Sequence, residues 1–251
     1  MPLAETEAIV LRQHVLSEAD RIVVLFAPEL GKIRAVARGA RKPKSRLGGS
    51  LEPLNHIRVQ LYSKEGSELA QIRQADIIHA YLGKNPSVLN LYAFSYWSEI
   101  VQEFVEDNNS NPLLFRLFLS ALNTAEKRVL NQALVRYFEL WTLRLNGLLP
   151  KYDACSKCGL YVKEVGFFAL LETGQACCAS CSGGRGLHVH AASASSLHKV
   201  FQLSPEEYSL LPTGGEVSAD LERLAQRLLQ FHLEKQLKSY PLLRELLRSK
   251  A

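Results

Sequence analysis

Two groups of residues in this chain are spaced for chemistry. The first is a set of thiols: Cys155 and Cys158, then nineteen intervening residues, then Cys178 and Cys181. Two C-x2-C pairs suit a tetrahedral ion such as zinc, whose thiolate ligands converge at about 2.3 Å. Each pair makes a short knuckle, and two knuckles on facing hairpins close the tetrahedron. A fifth thiol, Cys177, precedes Cys178, and a C-x3-C pair from Cys177 would close the same figure. His188 and His190 follow closely enough to replace a lost thiolate. The spacing therefore points to one bound Zn2+ on Cys155, Cys158, Cys178 and Cys181, with Cys177 and Cys178 both open as the third ligand. Four protein ligands leave no position for substrate or activated water, so the expected role of the ion is structural.

The second group is cationic. Between Gly31 and Leu47 lie Lys32, Arg34, Arg38, Arg41, Lys42, Lys44 and Arg46, seven cations in seventeen residues, with no Asp or Glu before Glu52. Residues 1–82 hold 12 Lys and Arg against 9 Asp and Glu, so seven of those twelve cations are focused here. The whole chain carries only +5 over 251 residues, and the location of the charge is more informative than its sum. A dense, uncompensated run suits a polyanion backbone better than a small ligand.

Certain elements must position these groups. In Lys32–Ala37, Ile33, Ala35 and Ala37 alternate with Lys32, Arg34 and Val36, the period of a half-buried strand. Gly39, Pro43, Gly48 and Gly49 then predict a flexible loop leaving the sheet. Further strands are expected over Glu7–Val15, Asp20–Ala27, Asn55–Tyr62 and Ala70–Ala80, with turns at Pro28–Gly31 and at Gly66. Five short strands in under 80 residues predict a small barrel, either an OB-fold or an SH3-like one. From Leu82 the period changes to helical. Asn85 is a candidate cap before Leu89, Tyr92, Tyr96, Ile100 and Phe104; a second helix restarts at Pro112, and a third runs from about Arg128 to Gly147. Aromatics at this spacing are expected in a core rather than as base-stacking platforms. Val165–Leu171 reads as the hairpin joining the knuckles, with Gly159 and Gly174 in tight turns. After it come a weak helix over Ala191–Leu203, a capping box at Ser204 and Glu207, a loop over Pro212–Gly215, a long amphipathic helix through Leu233 and a short last helix around Leu242–Leu247. The expected organisation is α+β and multidomain: a five-stranded barrel over 1–82, an all-α domain over 83–150 and 191–251, and an inserted four-cysteine zinc module over 151–190.

Other classes find no support. MPLAETEAIV has acids where a secretory leader needs cations, and no apolar run approaches the ~20 residues that span a bilayer, so a cytoplasmic protein with reduced thiols is expected. There is no G-x-x-x-x-G-K-[ST], no G-x-G-x-x-G after a strand, no H-E-x-x-H and no H-x-E beside the cysteines. His14, Glu18 and Asp20 read as solvated surface. A catalytic centre is not expected.

The order of four segments resembles the RecO family of bacterial recombination mediators. They are TEAIVLRQHVLSEADRIVVLFAPELGKIRAVARGARKPKSRLGGSLEP, with its Ser17–Arg21, Glu29–Lys32 and Gly39–Arg46 parts; Tyr137–Glu139 through Gly147–Pro150; Cys155–Gly159; and His232–Ser239. The family's usual Gly-Gly before the second knuckle stands here as Thr173-Gly174, and Cys177 is extra. The resemblance implies an OB-fold barrel, a helical domain and a structural zinc module. It also implies a non-enzymatic, nucleoid-associated DNA repair and recombination protein. Such a protein binds single- and double-stranded DNA, anneals complementary strands, works with RecR, binds the acidic C-terminal tail of single-stranded DNA-binding protein (SSB) and helps load RecA. In that reading the seven cations contact DNA phosphates. The SSB tail would need an apolar groove with cations at its rim, drawn from Arg116, Arg128, Arg136 and Arg144. The alternative is a zinc-ribbon factor of transcription or translation acting on RNA.

Overall fold

The computed structural model describes residues 4–62, 69–83, 86–212 and 214–249. The expected Gly66 turn, the Asn85 cap and Thr213 of the 212–215 loop lie outside the described residues.

Five strands form close to the expected positions: β1 (Ala4–Val15), β2 (Arg21–Ala27), β3 (Gly31–Ala37), β4 (Asn55–Tyr62) and β5 (Ala70–Ala80). Antiparallel pairs join β1 to β2, β2 to β3, β4 to β5 and β1 to β4. The ring closes in the order β1-β2-β3-β5-β4 through a short parallel seam, Ala35 with Ala70 and Val36 with Gln71. This is the five-stranded Greek-key barrel of an OB-fold. Irregular register between Val10 and Arg12 on β1, and at two points along β4–β5, bends the strands around the corners. Val10, Val23, Leu25, Ile33, Ile57, Val59, Leu61 and Ile72 fill the interior.

Gly31 has φ +66°, and a Cβ there would lie 2.0 Å from Asn109 O. Glycine is required because residues 106–111 run alongside β3. Lys32 N–H donates to Glu106 O, and Lys32 O accepts from Asn108 N–H.

The second half of the basic stretch departs from the expected flexible loop. Residues 46–50 wind into a short helix, α1 (Arg46–Ser50), and Leu47 packs on the barrel core. A Cβ at Gly48 would meet Ala40 O at 2.8 Å, so this glycine serves close packing rather than mobility.

The helix α2 (Val88–Phe104) begins at Ser87, whose Oγ accepts from Asn90 N–H at 3.1 Å. Phe94, Tyr96 and Trp97 are fully buried, as expected of core aromatics. The helix α3 (Pro112–Lys127) follows, and Phe115 near its start packs edge-on against Phe26 of β2 at 5.3 Å. Contacts divide the chain into two units, 1–123 and 124–251, with the boundary inside α3.

In the C-terminal unit, α4 (Gln132–Leu145) starts later than expected. Asn131 Oδ1 caps it by accepting from Leu134 N–H. The strands β6 (Phe167–Leu170), β7 (Gln175–Cys177) and β8 (Leu187–Val189) form a small sheet in the order β7-β6-β8, with the turn α5 (Ala179–Ser182) between β7 and β8. Then come α6 (Ala191–Val200), α7 (Pro205–Tyr208) behind the full capping box of Ser204 and Glu207, α8 (Gly215–Leu233) and α9 (Tyr240–Arg248). Gln226 of α8 donates to Glu139 of α4 at 2.8 Å, and Trp141 Nε1 donates to Val200 O at 3.0 Å. Among the described residues no helix is long and apolar enough to cross a membrane.

Candidate functional site

The cysteine module is built from its backbone outward. In the first knuckle Cys155 N–H donates to Leu160 O at 2.8 Å, and Gly159, at φ +74°, returns its N–H to Cys155 O at 2.9 Å. Ser156 stitches this knuckle to β7: its N–H and Oγ both donate to Ala176 O, at 2.9 and 3.1 Å. The second knuckle leaves the end of β7, with Cys178 as the N-cap of α5. Cys177 is the last residue of β7, whereas Cys178 lies beyond the strand at the start of α5, so the two thiols leave differently shaped backbone. Cys177 sits opposite Phe168 and is wholly buried.

The Sγ atoms of Cys155, Cys158, Cys178 and Cys181 lie within 4.8 Å of one another. Cys158 and Cys178 are 3.7 Å apart. A tetrahedron with 2.3 Å arms has edges of about 3.8 Å, so the donor set fits a thiophilic ion. Electrostatics agree. Amides of Cys178 and Cys158 aimed at the Cys155 sulfur hold that thiol well below its ordinary value, which favours the thiolate. Hydrogen bonds to Cys158 and Cys178 push Cys181 up to about 12, and an ion's charge would reverse this. Burial raises Cys177 and keeps it a thiol. Of the two thiols left open by spacing, Cys178 joins the cluster. His188 and His190 are not part of it; His188 stacks on Phe168 and His190 binds Asp220.

The basic stretch divides into two parts. On β3, Lys32 Nζ lies 3.3 Å from Asp107 Oδ1 and donates to Gln102 O at 3.1 Å, while Arg34 lies 3.4 Å from Asp107 Oδ2. One acid, 75 residues along the chain from Lys32, thus partly neutralises both strand cations. Beyond the strand, Arg38, Arg41, Lys42, Lys44 and Arg46 are all exposed. Their loop is tied down. Gly39 N–H donates to Asp20 Oδ1 at 2.8 Å, and Arg41 donates from its amide to Ala19 O at 3.0 Å and from Nη1 to Ser17 O at 2.6 Å. Ser17 Oγ in turn accepts from the amides of Ala19 and Asp20. The sequence reads Asp20 as plain surface; the Ser-x-x-Asp turn signature is the signal that marks it. Nothing local in the sequence points to Asp107.

The expected rim cations also differ among themselves. Arg136 is buried against Glu139 at 2.9 Å, whereas the Arg144 guanidinium lies over Phe201 at 4.3 Å.

The sequence profile described as Recombination protein O N terminal matches residues 1–81, and the one described as Recombination protein O C terminal matches residues 86–241. The chain belongs to the recombination protein O family. The DNA repair protein RecO of Koribacter versatilis is 32% identical to it over 97% of this chain and 99% of its own length. That of Pelobacter propionicus is 31% identical over 96% of each chain, and that of Geobacter sulfurreducens 31% over 96% of this chain and 97% of its own. As a RecO-family protein the chain is a DNA repair protein, and its barrel and cysteine cluster fall within the N- and C-terminal family regions respectively.

Proposed function

We propose that this protein is a non-enzymatic recombination mediator. It binds single- and double-stranded DNA through the barrel loop, anneals complementary strands and, together with RecR, helps load RecA onto SSB-coated single strands, with the SSB C-terminal tail as a further contact. The observation that carries the reading is the loop at 38–46: five exposed cations, no acid among them, on a backbone held in place by Asp20 and Ser17. Phosphate contacts of this kind do not depend on sequence, so any strand is bound, and screening two backbones lowers the repulsion that opposes pairing. The ion of the cysteine cluster is zinc in this proposal. Its work is to hold a module whose three short strands bury too little apolar area to stand alone.

The test is the annealing of two complementary oligonucleotides, bare and SSB-coated, with a salt series. Acceleration with intact strands and salt-sensitive binding is expected. Failure to anneal, or a preference for structured RNA over DNA, overturns the reading. Breakdown of DNA on adding a divalent metal would make the protein a hydrolase.

A further inference from the structure

We propose that the C-terminal unit carries a second phosphodiester track for one nucleic-acid strand. It runs from Lys157 and Arg185 of the metal module, over Arg223 and Arg227 on α8, to Arg244 and Arg248 of α9. The proposal rests on the DNA-binding reading of the family but not on the barrel loop.

Two open grooves meet at Arg227. The first, about 570 Å3, is lined by Lys157, Arg185 and Arg227 over a floor that includes Leu170 and Leu187. The second, about 420 Å3, is lined by Arg223, Arg227, Arg244 and Arg248. Among the described lining residues of the two grooves, six are cations and two, Glu172 and Glu222, are acids. Helix α8 sets Arg223 and Arg227 one turn apart on one face, about 6 Å along its axis. A strand in B-form geometry has one phosphate per about 3.4 Å of axis, so the pair spans about two phosphates.

The nearby acids position the guanidiniums more than they quench them. Glu222, 18% exposed at its side chain, holds Arg244 at 2.6 Å and reaches Arg248 at 4.0 Å, while those two arginines stay 47% and 60% exposed. Buried Asp220 likewise holds Arg223. A guanidinium has five N–H donors, and one carboxylate contact leaves the others for a phosphate. Lys157 and Arg185 donate to the carbonyls of Cys181 and Ser182, which orient them without neutralising them. An acidic peptide would use the short apolar floor. The cations continue past it along α8 and α9, among the neutral polar side chains of Gln226 and Gln230, as a long polyanion requires. A protein that anneals needs places for two strands, and this track supplies one of them.

The experiment counts labelled oligothymidylate strands bound per chain at low salt for the unaltered protein, for Arg185→Glu/Arg227→Glu, and for the barrel variant Lys42→Ala/Lys44→Ala. Zinc content and far-UV spectra check that each folds; Arg185 and Arg227 are exposed side chains outside the core. Two strands per chain are expected for the unaltered protein and one for Arg185→Glu/Arg227→Glu. Arg227→Ala should lower the salt slope by about 0.7. An unchanged count and slope in both Arg227 variants overturns the track. A barrel variant that keeps full binding overturns the barrel reading and leaves the track standing. If an acidic peptide with an aromatic residue binds and is lost in Arg185→Glu/Arg227→Glu while strand binding is untouched, the groove belongs to a protein partner and the track is wrong.

Discussion

Asp20 Oδ1 accepts the Gly39 amide hydrogen at 2.8 Å, so a carboxylate from the β1–β2 turn holds the backbone of the cationic loop. An acid within a nucleic-acid surface would ordinarily weaken it. Here it orders the chain that carries Arg38, Arg41 and Lys42. Replacing Asp20 by Ala should cost about 1 kcal/mol of stability and lower DNA affinity, with the salt slope unchanged because no phosphate contact is removed. Asp20→Asn keeps the acceptor and should restore most of the affinity. Thermal melts and fluorescence anisotropy against salt read both effects.

Asp107 restrains the strand cations. Asp107→Asn frees Lys32 and Arg34 from their shared partner and should tighten DNA binding while steepening its salt dependence. Lys42→Ala/Lys44→Ala should do the reverse, lowering the slope by about 0.7 to 0.9 per lost contact. Equal slopes for these two variants would contradict the division of the basic stretch into a restrained and a free part.

Gly31→Ala should destabilise the N-terminal unit by more than about 1 kcal/mol. The new methyl carbon would sit 2.0 Å from Asn109 O at a φ of +66°, so either β3 or residues 106–111 must move. Denaturant unfolding followed by tryptophan fluorescence measures the loss.

Cys178→Ser should release the metal and loosen residues 151–190, whereas Cys177→Ser should retain one ion per chain. Elemental analysis of the two purified variants distinguishes them. Metal retained by Cys178→Ser and lost by Cys177→Ser would reverse the ligand assignment.

His190 and Asp220 give the C-terminal unit a pH signature. The hydrogen bond that His190 donates to Asp220 raises the imidazole above its ordinary value, so its contribution is full below about 6.5 and fades as pH rises through the raised value. Burial pushes the Asp220 carboxyl up, but hydrogen bonds from the His190 ring, the His190 amide and Ser193 outweigh this and hold it below its ordinary value. Its contribution is full above about 3.9 and fades as pH falls through the lowered value. Both are therefore complete between those limits. His190→Asn should flatten the fall in melting temperature above pH 6.5 without altering the alkaline behaviour of the N-terminal unit.

Local rules account for what the sequence alone determined. The strands appeared where local runs favour them: Ile33, Ala35 and Ala37 alternate at the period of a pleat on β3, and Ile22–Phe26 of β2 is a continuous run of β-branched and other apolar residues, buried from Val23 onward. The Ser204–Glu207 capping box formed because its partners lie three residues apart, and the turn before Gly31 because Ala27 pairs with Gly31 only four residues on. Two C-x2-C pairs announced a thiol cluster able to hold a metal because each knuckle closes on itself. Tertiary structure decided whatever depends on distant residues. Asp107 restrains Lys32 and Arg34 because residues 106–111 lie along β3. The choice of Cys178 over Cys177 needed the β6–β7 register, which turns one thiol inward and leaves the other at a helix start. Gly48 read as part of a flexible loop and is a packing contact, because Ala40 O lies 2.8 Å from where its Cβ would be. The meeting of Lys157 and Arg185 with Arg227 of α8 required β8 and α8 to pack together, and no period in the chain encodes that encounter.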